Sequence, residues 1–141
     1  MKKGITILVA DRNPHVREFL KRELAAVGYR VTLANNGREL LSRLESRQEV
    51  DLLVLDLDLP YAGDLGILDE IRGRIPTLPV VVHTFLPEYI NYPTTLNNAA
   101  FVEKEGNSVD RLKDVISEVL NKPAPHFAAG PQIEGSSPNQ Y

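Results

Sequence analysis

The sequence predicts an α/β fold, with one parallel sheet covered by helices on both faces. Three observations carry that prediction. Short apolar runs alternate about five times with stretches of helical periodicity, which is how strand–helix–strand units read. The run Leu52-Leu53-Val54-Leu55 is apolar at every position, with Asp51 before it and Asp56-Leu57-Asp58-Leu59-Pro60 after it. A strand that is apolar throughout is buried on both faces, as the central strands of such sheets are. The run also ends abruptly in a carboxylate, at the edge of the sheet where open α/β folds gather their ligands and chemistry.

The elements follow in order. Ile5 to Ala10 is apolar and β-branched, and reads as the first strand. Asn13 is placed to cap the next helix, and Pro14 suits its first turn. Val16, Phe19, Leu20, Leu24 and Val27 recur at helical spacing, and Gly28 is a natural stop. Tyr29 to Ala34 reads as a second strand, and Asn35-Asn36-Gly37 as a turn and cap. Leu40, Leu41 and Leu44 make the apolar stripe of a second helix, with Arg38, Glu39, Arg43 and Glu45 on its wet side. The third strand runs from about Asp51 to Asp56. Leu59 to Gly63 is a loop, and Asp64 caps a third helix with Leu65, Leu68 and Ile71 facing inward. Pro76 and Pro79 bracket the way to a fourth strand, Val80 to Thr84. Between Thr84 and Ala99, Pro87 suits a helix start and Pro93 interrupts one, so a short, shifted or partly unwound fourth helix is expected. Ala99 to Val102 reads as a fifth strand, ending near Lys104. Asn107 or Ser108 caps a last helix, with Leu112, Val115, Ile116, Val119 and Leu120 as its buried face.

Right-handed crossovers leave few ways to connect these elements. The expected one is the flavodoxin-like, doubly wound (βα)5 arrangement, a five-stranded parallel sheet in the order 2-1-3-4-5. That order sets the exits of the first and third strands side by side, so Asp11 and Asp56 should be neighbours.

Composition narrows the function. A chain of 141 residues with 43% hydrophobic content carries enough apolar material for one compact domain. A net charge of -3 leaves no footprint for nucleic acid or an anionic membrane. With no cysteine, disulfides and thiolate metal sites are excluded. The three histidines show no metal-ligand spacing. His83 is expected to be a packed or hydrogen-bonded strand residue, and His15 to face solvent. The apolar run after Met1-Lys2-Lys3 is too short for a signal peptide, and it meets Asp11-Arg12-Asn13-Pro14 without a small-residue cleavage site. No stretch is long enough to span a bilayer. A cytoplasmic protein is expected, with a folded domain over residues 1–121. Residues 122–141 hold Pro123, Pro125, Pro131, Pro138 and Gly135-Ser136-Ser137, which predicts a disordered or polyproline-like tail.

Taken in order, Asp11, the strand ending at Asp56, Thr84 and Lys104 resemble the motifs of bacterial response-regulator receiver domains, the CheY-like superfamily of two-component signal transduction. The resemblance covers roughly residues 4–121. It implies a signalling module rather than an enzyme, with only autocatalytic phosphoryl transfer and hydrolysis. Asp56 is then the residue that takes a phosphoryl group from a histidine kinase or phosphotransfer protein in a phosphorelay. Mg2+ would be held by Asp11, Asp56 and the backbone carbonyl of Asp58. Lys104 would pair with a phosphoryl oxygen, Thr84 would be the switch hydroxyl, and Phe101 the aromatic that moves with it. A downstream protein would read the face made by the fourth helix, fifth strand and last helix. No output domain follows, so a stand-alone receiver is expected, with neither nucleic acid nor membrane as partner.

Three positions depart from the family pattern. Arg12 stands where a second acid is usual, which removes a metal ligand and adds like charge, so Mg2+ is expected to bind weakly or not at all. Arg12 has two other options: to pair with Asp56 as a fixed substitute for the metal, or to swing into solvent. Phe85 is bulky where a small residue is usual, and restricts access to the phosphoryl site. Glu105 replaces a proline, and either changes the turn or competes for Lys104. These departures keep open a second reading, a phosphorylation-independent adaptor with the same fold. A third reading, from Leu55-Asp56-Leu57-Asp58, is a phosphatase of the haloacid dehalogenase type. That motif normally lies on the first strand, and the chain has no room for the cap of such an enzyme.

Overall fold

The computed structural model describes residues 4–46, 49–60, 67–74, 78–85 and 99–121. Its strands are β1 (Thr6–Ala10), β2 (Arg30–Ala34), β3 (Leu52–Leu55), β4 (Val80–Thr84) and β5 (Ala100–Glu103). They form one sheet in the order β2-β1-β3-β4-β5, with every neighbouring pair parallel. The helices are α1 (Pro14–Val27), α2 (Gly37–Glu45), α3 (Ile67–Arg74) and, closing the described residues, α4 (Ser108–Asn121). The expected strand order is therefore the observed one. Asp64, Leu65, the segment expected to hold a fourth helix, and the tail from residue 122 lie outside the described residues.

The central strands bury both faces, as their unbroken apolar runs require. Leu8, Leu53, Leu55, Val80 and Val82 face one layer, where Leu40 and Leu44 of α2 and Ile71 of α3 join them. Ile7, Val9, Leu52, Val54 and Val81 face the other, against Leu20 and Leu24 of α1 and Leu112, Val115 and Ile116 of α4. Each alternate residue along a strand feeds the opposite layer.

Capping fixes where the helices begin. The Asn13 side chain accepts from the N–H groups of His15 and Val16, and Pro14 opens α1. Gly28 ends α1 in the left-handed region at φ 114°, a conformation that costs glycine little. The Asn36 side chain accepts from Glu39 N–H, while Glu39 Oε1 accepts from Asn35 N–H. This reciprocal pair holds the entry to α2.

The structure corrects the element boundaries and the buried face of α1. β1 begins at Thr6, whose N–H donates to the Asp51 carboxylate at 2.8 Å. Tyr29 is buried but belongs to the helix end, its N–H donating to Leu24 O. β5 runs one residue later than expected, because Glu103 pairs in register with Thr84. Phe19 and Val27 are each 38% exposed rather than buried. Leu20 and Leu24, one turn apart, fill the seam between α1 and the sheet, and Phe19 lies beside it with the Arg22 guanidinium 5.5 Å from its ring centre.

Leu53→Ala empties a fully buried position at the sheet centre and is expected to cost about 2–5 kcal/mol in urea unfolding. Val27→Ala, at the exposed end of α1, is expected to cost about 1 kcal/mol or less. Equal losses at the two sites would contradict this division between core and surface.

Candidate functional site

Four strand exits meet at the carboxyl edge of the sheet. Asp56 follows β3, and its N–H donates to Ala10 O at 2.9 Å, which continues the β1–β3 ladder into the site. Asp11 follows β1 and is tied to β2 through its N–H to Ala34 O. Thr84 ends β4, and Lys104 follows β5 with its N–H on Thr84 O at 2.8 Å. The topology thus brings Asp11, Asp56, Thr84 and Lys104 together, as the sequence reading expects.

The side chains converge on Asp56. Its Oδ1 accepts from the Thr84 hydroxyl at 3.0 Å and from Asp58 N–H at 3.1 Å. Its Oδ2 lies 3.2 Å from Lys104 Nζ, and the same ammonium is 2.8 Å from Asp11 Oδ2. Asp11 and Asp56 are both 2% exposed. One lysine therefore neutralises half the charge of two buried carboxylates, a geometry that repays their desolvation only because the hydrogen bonds are also made. Burial pushes the Asp11 carboxyl above its ordinary range, opposed by the Lys104 hydrogen bond and by Asn13 N–H, and aided by the charge on Asp56.

Two local turns aim these acids. Asp11 Oδ1 accepts from Asn13 N–H at 2.8 Å, and Asp56 Oδ1 accepts from Asp58 N–H two residues on. Both are Asx turns, the usual habit of aspartate at a strand exit. The Arg17 guanidinium also holds the backbone carbonyl of Asp11 at 2.8 Å. Neither Arg17 nor these turns were singled out from the sequence. The spacing Asp-x-Asn and Asp-x-Asp was the available signal.

The departures resolve differently from one another. Arg12 pairs with Asp58, Nη2 to Oδ2 at 3.0 Å, rather than with Asp56. Asp56 is buried and already has three partners, so a guanidinium would have to shed its water to reach it. Phe85 is 56% exposed, and Lys104 Nζ stands 5.5 Å from its ring centre, so the ring flanks the ammonium. Glu105 is exposed, and its carbonyl accepts from Ser108 N–H at the start of α4. It therefore serves the turn into that helix, and Lys104 is taken by Asp11 and Asp56. Phe101, half-buried on β5, packs at the margin of the layer formed by α2 and α3.

The donor set suits a small, hard divalent cation in part. Two buried carboxylates converge, which is the number of protein acids magnesium commonly takes, with water and phosphate oxygens completing its shell. Among the described residues no three acidic or histidine side chains gather into a ligand cluster. The Asp58 carboxylate is paired with Arg12.

Residues 7–117 match the response regulator receiver domain family. The chain belongs to that family. This receiver domain is 37% identical over 84 residues to the DNA-binding transcriptional regulator NtrC of Salmonella typhimurium, a match covering 60% of this chain and 18% of NtrC. It is 40% identical over 81 residues to the response regulator MprA of Mycobacterium tuberculosis, covering 57% of this chain and 35% of MprA. The chain thus matches a fifth to a third of the length of these relatives. Among solved structures, response regulator protein TrrA from Thermotoga maritima, in complex with Mg(2+)-BeF, is similar with a TM-score of 0.71 and 32% identity, over 84% of this chain and 99% of that one. A complex of histidine kinase ThkA with TrrA is similar at a TM-score of 0.67 and 33% identity, over 86% of this chain and 100% of that one. Receiver domains are phosphoacceptor signalling modules, which leaves the phosphatase reading without support. Among the described residues no helix is long and apolar enough to cross a membrane.

His83 lies beside this machinery. Thr84 points toward Asp56, so His83 points to the opposite face, where its Nε2 is 3.1 Å from Ser108 Oγ. It is buried, as expected, while His15 is exposed. Burial, with Lys104 adding to it, pushes the His83 pKa down to about 4. The unfolded chain takes up this proton below its ordinary value near 6.5 and the folded chain only near 4. His83 thus contributes stability fully above pH 6.5, and that contribution is lost as pH falls toward 4. Urea unfolding at pH 7.5 and 4.5 should lose up to about 3 kcal/mol more in wild type than in His83→Asn. Parallel pH profiles would show that His83 is protonated in the fold.

Proposed function

We propose that Asp56 is the phosphoacceptor of this receiver domain and takes its phosphoryl group from a phosphohistidine of a kinase or phosphotransfer protein. The observation that carries this reading is the convergence on Asp56 of the Thr84 hydroxyl at 3.0 Å and the Lys104 ammonium at 3.2 Å. An Asp56 oxygen attacks phosphorus, the P–N bond breaks, and its electron pair leaves with the imidazole nitrogen. The product is an aspartyl phosphate. Lys104 and Thr84 then hold phosphoryl oxygens where they now hold the carboxylate, with the ammonium offsetting charge as it develops. TrrA in its Mg(2+)-BeF complex and the complex of ThkA with TrrA support this choice of chemistry and donor.

Asp11, Asp56 and the backbone carbonyl of Asp58 are the groups that would hold Mg2+. When bound, the ion supplies positive charge against the repulsion between acceptor and phosphoryl group. Arg12, one residue from Asp11, weakens that binding. Thr84 and Phe101 carry the switch, and the downstream partner reads β5, α4 and the segment before β5. Residues 1–121 form the receiver, and residues 122–141 a tail. Kinase phosphoryl groups originate from ATP, so the cytoplasm is the compartment this reading expects. The adaptor reading draws on Arg12 and Phe85; Arg12 is engaged with Asp58 rather than with Asp56, which removes the fixed pair from that reading, and Phe85 stands beside Lys104.

Intact mass after incubation with phosphoramidate and Mg2+ tests the acceptor. Wild type should gain one phosphoryl group and Asp56→Asn none. Equal uptake by both would sink the proposal. For the metal, Arg12→Asp should bind Mg2+ about tenfold more tightly by calorimetry, the scale of a charge reversal in a half-exposed site. Unchanged affinity would remove Arg12 from the metal account.

A further inference from the structure

The phosphoacceptor reading leaves one charged contact at the mouth of the site without a task. Arg12 Nη2 lies 3.0 Å from Asp58 Oδ2. Asp58 in turn donates its N–H to Asp56 Oδ1 at 3.1 Å. The guanidinium is thus joined to the acceptor carboxylate through a single residue. Arg12 also follows directly on Asp11, whose carboxylate shares Lys104 with Asp56.

Arg12 and Asp58 both remain largely in water, with 59% and 41% of their side chains exposed. An exposed pair of this kind is weak and exchanges its partners readily. A phosphoryl group on Asp56 changes the competition. It is close to dianionic and offers three acceptor oxygens, and a guanidinium matches such oxygens with two parallel N–H bonds. The Asp58 carboxylate offers one negative charge on a partly solvated side chain.

We propose that Arg12 is a phosphoryl-binding residue, stored on Asp58 in the resting domain and handed to a phosphoryl oxygen when Asp56 is modified. This rests on the phosphoacceptor reading above. Lys104 approaches from β5 and Arg12 from β1, which lie on opposite sides of β3 in the sheet. Two cations of different shape then clamp one group. The sequence position that weakens Mg2+ thereby supplies part of the charge the metal would otherwise provide.

A purely structural ion pair and an exchanging one predict different signs. If the pair only tied the two loops together, removing either partner would weaken the site alike. If Arg12 is stored on Asp58, removing Arg12 weakens phosphoryl binding and removing Asp58 strengthens it. The probe is beryllofluoride, a phosphoryl mimic, titrated into the full chain by calorimetry at saturating Mg2+, so that metal occupancy is equal in every variant. Arg12→Ala should weaken binding about tenfold, the scale of one charge-assisted hydrogen bond, and Arg12→Lys should recover part of the loss. Asp58→Ala should tighten binding severalfold, and that gain should vanish in the Arg12→Ala background. Arg12→Ala binding as well as wild type overturns the proposal, as does a loss in both single variants. So does an Asp58→Ala gain that persists without Arg12, since it would then come from the lost acid alone. If wild type neither binds beryllofluoride nor gains a phosphoryl group from phosphoramidate, the phosphoacceptor reading itself fails and this one falls with it.

Discussion

The ammonium of Lys104 between Asp11 and Asp56 is the contact on which the edge of this sheet depends. Two carboxylates at near-zero exposure cannot both stay ionised beside each other without a compensating charge. Lys104 supplies it from the far side of the sheet, across β4. Removing one partner of a buried pair leaves an uncompensated charge and costs about 3–5 kcal/mol. Among the described residues the two core layers are apolar, aliphatic apart from Tyr29 and the marginal Phe101. Among the described residues the buried carboxylates, Asp11 and Asp56, both stand at strand exits. A group that adds charge to Asp56 must rearrange this contact before anything else.

Much of this was legible in the sequence, because topology does most of the positioning. Once the strand order is 2-1-3-4-5, the residues after β1, β3, β4 and β5 must share one edge. Asp11, Asp56, Thr84 and Lys104 then meet without further information. What the sequence left open is what side chains and backbone ladders settle locally. Periodicity placed Phe19 and Val27 on the apolar side of α1 but could not say how wide the seam is, and Leu20 with Leu24 suffices to fill it. Glu103 extended β5 because ladder pairing with Thr84 is a backbone matter, indifferent to polarity.

Arg12 shows the same limit at the site. Its long side chain had Asp56 and Asp58 within reach, two residues apart. The Asx turn decides between them. By donating its N–H inward to Asp56, Asp58 turns its carboxylate outward, where a solvated guanidinium meets it at little desolvation cost. Sequence alone offers Arg12 either Asp56 or solvent, and Asp58 is the partner it does not name.

The end of β4 carries the remaining constraint. Thr84 and His83 are consecutive and point to opposite faces, one hydrogen-bonded to Asp56 and the other to Ser108 at the start of α4. β4 pairs with β3 as far as Val82 and with β5 through His83 and Thr84, so its last two residues are held in the ladder by β5. His83 Nδ1 is buried and has no hydrogen-bond partner among the described residues. The ring therefore depends on its single contact with Ser108 for polar satisfaction. Any displacement of Thr84 toward Asp56 must either carry His83 with it or stretch that contact. The hydroxyl at the acceptor and the first turn of α4 are coupled in this way through one peptide unit.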